Sequence, residues 1–132
     1  MADPTQFVEV GGLKFLLPPT AKIVTLYRSD TTSGDHAMFD SDTQAAYQVP
    51  ALKKLWILRI DELSIVPTDL IHIYQANASG GTDTEKWKYP SPVAVNLQNL
   101  TVGKISIPTT KFLTVSSAGV CGCIITAIEL DA

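Results

Sequence analysis

Residues 119–130, GVCGCIITAIEL, decide how this 132-residue chain is read. As an extended strand the segment sends alternate side chains to opposite faces. One row then holds Val120, Gly122, Ile124, Thr126, Ile128 and Leu130, the other Cys121, Cys123, Ile125, Ala127 and Glu129. Neither row suits water. A strand in a two-layer sandwich keeps one wet face, so a strand apolar on both sides needs a second cover. The stretch 56–60, WILRI, raises the same demand. Two covers are open: a neighbouring subunit, or the N-terminal segment 6–17 laid over the outer face of its own chain.

Outward from that segment, short apolar runs alternate with Gly, Pro, Ser and Asp, which predicts an all-β antiparallel sandwich or jelly-roll with little helix. Residues 6–10 and 13–17 flank Gly11-Gly12 as the arms of a hairpin, and Pro18-Pro19 ends the pairing because neither residue donates to a ladder. Residues 21–28, AKIVTLYR, alternate as a strand. The polar stretch 29–43 reads as a long loop and a candidate contact segment. Residues 55–66 form a long strand whose apolar row switches sides around Asp61-Glu62, the mark of a β-bulge; Trp56, Leu58 and Ile60 share a face before the switch. A turn at Pro67-Thr68-Asp69 makes 70–75 the second arm of a hairpin, and 77–85, NASGGTDTE, a flexible tip. Short strands follow near 93–97, 102–107 and 112–116, and a helical turn is allowed near 42–47. The chain divides into an N-terminal arm or hairpin, 1–20, and a single β-sandwich domain, 21–132.

Hydrophobic residues make up 45% of the chain and charged ones 17%, with a mean hydropathy of +0.17. A domain of this length buries roughly two-thirds of its unfolded surface, enough for a core without disulfides. No run approaches the ~18 apolar residues that a bilayer-spanning helix needs, so no membrane partner is expected. A net charge of -3, a pI near 5.2 and the lack of a Lys/Arg cluster argue against nucleic acid. The start, MADPTQFVEV, has no basic and apolar leader, so the expectation is synthesis in a reducing cytoplasm without secretion.

The search for chemistry returns little. Cys121 and Cys123 project from one face at the outer limit of disulfide reach, and a zinc site built on them would have to draw on His36 and His72. Packing as small hydrophobes is the simpler role, and no metal or cofactor is expected. No base stands beside a nucleophile in any recognisable pattern, no Gly-x-Ser-x-Gly elbow occurs, and no phosphate-cradling glycine motif is present, so no catalytic residue is nominated and no enzyme is expected. Asp35, Asp40 and Asp42 offer oxygens for Ca²⁺ but lack the Gly and terminal Glu of an EF-hand loop. Trp87 and Tyr89 share one side of WKY and form a candidate platform for a sugar ring.

The stretch KKLWILRIDELSIVPTDLIHIYQ (53–75), followed by FLTVSSAGVCGCIITAIEL (112–130), resembles the small jelly-roll proteins of tailed-bacteriophage virions: head decoration or cement proteins and related head-fibre domains. The likeness lies in a strand ending LTV with small residues, a small-residue turn and a last strand close to the C-terminus. The resemblance implies a virion structural protein that stabilises the head as a homo-oligomer, most simply a trimer, in contact with the major capsid protein or other virion proteins. On that reading Cys121, Cys123, Ile125 and Ala127, or their opposite row, pack between subunits, and Phe7, Val8, Leu13 and Phe15 of the N-terminal arm reach towards the shell. The alternative expectation is a carbohydrate- or receptor-binding module of a virion fibre or tail, with Trp87 and Tyr89 as its platform.

Overall fold

A computed structural model describes residues 6–10, 13–17, 20–30, 34–64, 71–88, 95–99, 104–117 and 121–132, with side chains over 20–28, 34–61, 72–88, 104–116 and 122–132. The strands in chain order are β1 (Gln6–Val10), β2 (Leu13–Leu17), β3 (Lys22–Asp30), β4 (Gly34–Ala37), β5 (Phe39–Asp40), β6 (Lys53–Ser64), β7 (Ile71–Ala76), β8 (Thr84–Lys88), β9 (Val95–Asn99), β10 (Ile105–Ile107), β11 (Phe112–Ser117) and β12 (Cys121–Asp131). Among the described residues there is no helix, and where a helical turn was allowed, 42–47 forms turns and single bridges. The protein is an all-β antiparallel sandwich. One sheet runs β10-β6-β12-β3-β5, with β9 also pairing β6; the other runs β4-β11-β7-β8; β1 and β2 pair with each other.

The C-terminal segment takes the centre of the larger sheet, with β3 on one side and β6 on the other along nearly its whole length. That position explains its composition. A central strand loses both edges to neighbours, and its inner row joins the core between the sheets. The core combines Val24 and Leu26 of β3, Leu55, Ile57 and Ile60 of β6, and Cys123, Ile125 and Ala127 of β12 with Ile73 of β7 and with Leu113 and Val115 of β11. Each such aliphatic side chain is worth about 1.5–3 kcal/mol when fully buried.

Three sequence expectations change. The bulge lies at Leu58, three residues before Asp61: Thr126 pairs Arg59 and Ala127 pairs Ile57, leaving Leu58 unmatched on β6. The extra residue turns Leu58 away from the core and puts Ile60 on the core side with Leu55 and Ile57, so Leu58 and Ile60 occupy different clusters. Second, β6 and β7 do not form a hairpin. β12 takes one edge of β6 while β9 and β10 take the other, and β7 crosses to the second sheet, where it pairs β11 and forms the actual hairpin with β8. Its tip closes by Gly81 N donating to Ala78 O at 3.1 Å and Asn77 N to Asp83 Oδ2 at 2.9 Å, with Gly80 at φ 79°.

Third, the stretch expected as one loop, 29–43, carries two short strands in different sheets: β4 pairs β11, and β5 pairs β3. Between them Met38 is fully buried and donates its amide to Leu113 O at 2.9 Å. Polar residues adopt strand geometry here because exposed sheet edges offer ladder partners. The connection 41–52 returns to β6 past Tyr47 and Val49, both buried in the same core.

Candidate functional site

Two surfaces stand out, and both border β12. The first is the outer face of the larger sheet. The inner row, with Cys123, Ile125 and Ala127, is buried against the second sheet, so these three residues, nominated for contact between subunits, serve the chain's own core. Any contact made by this strand passes to the opposite row. That row is divided: Ile128 and Leu130 are buried with Ala21 and Leu58, with Trp56 packed against them, whereas Ile124 is 47% exposed. Ile23, in register with Ile128, is 43% exposed, and Tyr27, in register with Ile124, meets Phe39 edge to face at 5.9 Å. Polar residues interrupt this face: Thr126 pairs Thr25 and Arg59 between Ile124 and Ile128, Arg59 Nε donates to Asp61 Oδ1 at 2.7 Å, and the Lys54 ammonium lies 5.2 Å from the Trp56 ring centroid.

The other nominated residues are placed as follows. Phe7 and Val8 lie in β1 and Leu13 and Phe15 in β2, where Val8 pairs Phe15 and Val10 pairs Leu13; their side chains lie outside the described residues, as does that of Cys121. Trp87 is half-buried, packs against the core and has the Lys104 ammonium 5.7 Å from its ring centroid; Tyr89 lies outside the described residues. The two histidines are far apart in role. His72 bonds Glu85 and stacks on Tyr74, while His36 meets the Arg28 guanidinium, which also reaches Ala37 O and lies over Phe39. The Asp35, Asp40 and Asp42 set is split between sheets and a turn, and no group of three His, Cys, Asp or Glu side chains suited to a metal occurs among the described residues.

The second surface is a recess of about 320 Å³ lined by Lys22 of β3, Asp40 of β5, Thr43, Ala46, Tyr47, Gln48 and Pro50 of the connection, and Glu129 of β12. Glu129 follows Cys123, Ile125 and Ala127 in the inner row of β12 and is only 7% exposed. The buried Tyr47 hydroxyl donates to its Oε2 at 2.7 Å. Burial, reinforced by the Glu129 carboxylate and by Asp40, pushes the Tyr47 phenol far above its ordinary value, so Tyr47 stays a donor throughout the physiological range. Asp40 Oδ1 accepts the Asp42 amide at 2.8 Å, and Gln48 Nε2 donates to Thr110 O at 2.9 Å. Sequence reasoning did not assemble this recess, because Tyr47 and Glu129 are 82 residues apart. The visible signal is Glu129, a carboxylate directly after the apolar positions Cys121, Cys123, Ile125 and Ala127 of its row.

No protein-family model, curated protein or solved structure matches this chain.

Proposed function

We propose that this chain is a structural protein that works by surface contact, a β-sandwich that associates with copies of itself and decorates a larger shell, in the manner of the tailed-phage head proteins its sequence resembles. The observation that carries the reading is the outer face of the larger sheet, where Ile23, in register with the buried Ile128, and Ile124, beyond Thr126 on the same row, are both left half exposed. Exposed isoleucines interleaved with threonine and paired charges suit a protein contact, since such contacts are about as apolar as the rest of a protein surface. Two isoleucines fall well short of the ~800 Å² per partner of a standard interface, so the contact must draw on further surface. Phe7, Val8, Leu13 and Phe15 of the N-terminal arm are the residues the sequence nominates for it.

On this reading the homo-oligomer, most simply a trimer, and the virion partner supply stability through burial, and no catalytic step is required. Light scattering across a dilution series tests it. The expected result is an oligomer that survives dilution and that Ile124→Lys converts to a folded monomer. A monodisperse monomer at high concentration, unaffected by Ile124→Lys, overturns the proposal.

A further inference from the structure

We propose that the recess between β3, β12 and the 40–50 connection binds an organic cation, an alkylguanidinium or alkylammonium group of the kind arginine and lysine side chains carry. The site is independent of the structural role above. Its polar lining is rich in acceptors whose companion positions are already engaged. Glu129 Oε2 takes the Tyr47 hydroxyl, and no ion pair joins Glu129 or Asp40 to Lys22 among the described residues. Asp40 commits Oδ1 to the Asp42 amide, which leaves Oδ2. Gln48 commits its Nε2 to Thr110 O, which leaves its carbonyl oxygen as the available group. Thr43 Oγ1 already accepts the Ala45 amide at 3.4 Å and keeps a further lone pair.

Buried carboxylates are normally matched by a cation or by several donors, because the charged form is costly to remove from water. Among the described residues Glu129 has a single neutral donor, the Tyr47 hydroxyl. The group that would complete it is therefore cationic and carries several N–H bonds. A metal ion fits poorly, since Ca²⁺ takes six to eight oxygen ligands and the recess offers two carboxylates. A guanidinium fits better: it is planar, weakly hydrated and holds five donors in a fixed fork that pairs with a carboxylate and neighbouring oxygens. The volume of about 320 Å³ accommodates such a group with its methylene stem. Lys22, exposed and in register with Glu129, is the internal competitor at the rim.

Amide-resolved NMR titration of the full chain tests the proposal with three probes: N-acetyl-arginine amide, N-acetyl-lysine amide and N-acetyl-citrulline amide, the last an uncharged analogue of arginine. Saturable shifts at Tyr47, Gln48 and Glu129 with the arginine probe in the millimolar range, and none with citrulline, are expected. Glu129→Gln should weaken arginine binding at least tenfold while keeping an oxygen for the Tyr47 hydroxyl, and Asp40→Asn should weaken it several-fold. Should Glu129→Gln not fold, Asp40→Asn and salt decide: raising ionic strength must weaken binding of the arginine probe. Tighter binding of arginine within a capped tripeptide than of the free amide assigns the cation to a protein segment; equal affinity assigns it to a small free cation, and both support the site. Equal response to arginine and citrulline, the absence of a saturable shift, or unchanged arginine affinity in both variants overturns it.

Discussion

At the residue scale, the bond between Tyr47 and Glu129 is the most consequential polar contact described. It fixes the connection 41–52 against β12 across 82 residues of sequence. Tyr47→Phe keeps the ring in the core but leaves the carboxylate without its donor, and the expected loss is about 1–3 kcal/mol of stability, read from urea unfolding. Asp131 behaves differently because it lies exposed at the surface. The Lys53 ammonium, donating to Oδ1 at 2.6 Å, and then the Thr20 hydroxyl, donating to Oδ2 at 2.9 Å, hold its carboxyl below its ordinary value. The folded chain thus binds this proton less readily than the unfolded one. Its contribution is present above the ordinary carboxylate pKa and is lost as pH falls through the lower, folded one. Asp131→Asn should therefore lower the melting temperature slightly at pH 7, and the gap to the parent protein should close in acid.

At the element scale, β12 is a strand whose two rows do different work, and neighbouring isoleucines report them separately. Ile125→Ala opens a cavity in the core and is expected to cost about 2–5 kcal/mol, whereas Ile124→Ala, one residue earlier on the half-exposed face, should change the stability of the isolated chain by less than about 1 kcal/mol. Denaturant midpoints of the two variants check the assignment, and equal losses would contradict it. The existence of most strands was legible because alternation of side chains is a local property of sequence. Pairing was not. That β6 turns from the core at Leu58, and that β7 leaves it for the other sheet, depends on which edges β12, β9 and β10 occupy. Those partners come from later in the chain.

At the scale of the molecule, the two sheets are joined by the stretch 34–49 as well as by their packed faces. The chain passes from β4 in one sheet to β5 in the other, with Met38 sealed between them, and Phe39 bridges to Ala46 while Gln48 bridges to Phe112. Such cross-stitching should make the sandwich unfold as one unit. Met38→Ala is expected to cost about 2–5 kcal/mol and to lower both sheets together. Far-ultraviolet circular dichroism and tryptophan fluorescence should then give coincident transitions; separated transitions would show that the stretch is not a shared fastening.

The sequence by itself determined the fold class and the positions of most strands, since the two-residue period of apolar side chains and the turn residues between them are written locally. It also marked β12 as unusual, because eleven residues with so little polarity demand cover on both sides. Only the tertiary structure decided how that cover is divided. The second sheet takes the inner row, Ala21, Leu58 and Trp56 enclose the end of the outer row, and Ile124 is left half open. Only the tertiary structure brought Asp40, Tyr47 and Glu129 around one recess. Burial and proximity are set by which distant segments share an edge or a face, and no window of neighbouring residues carries that information.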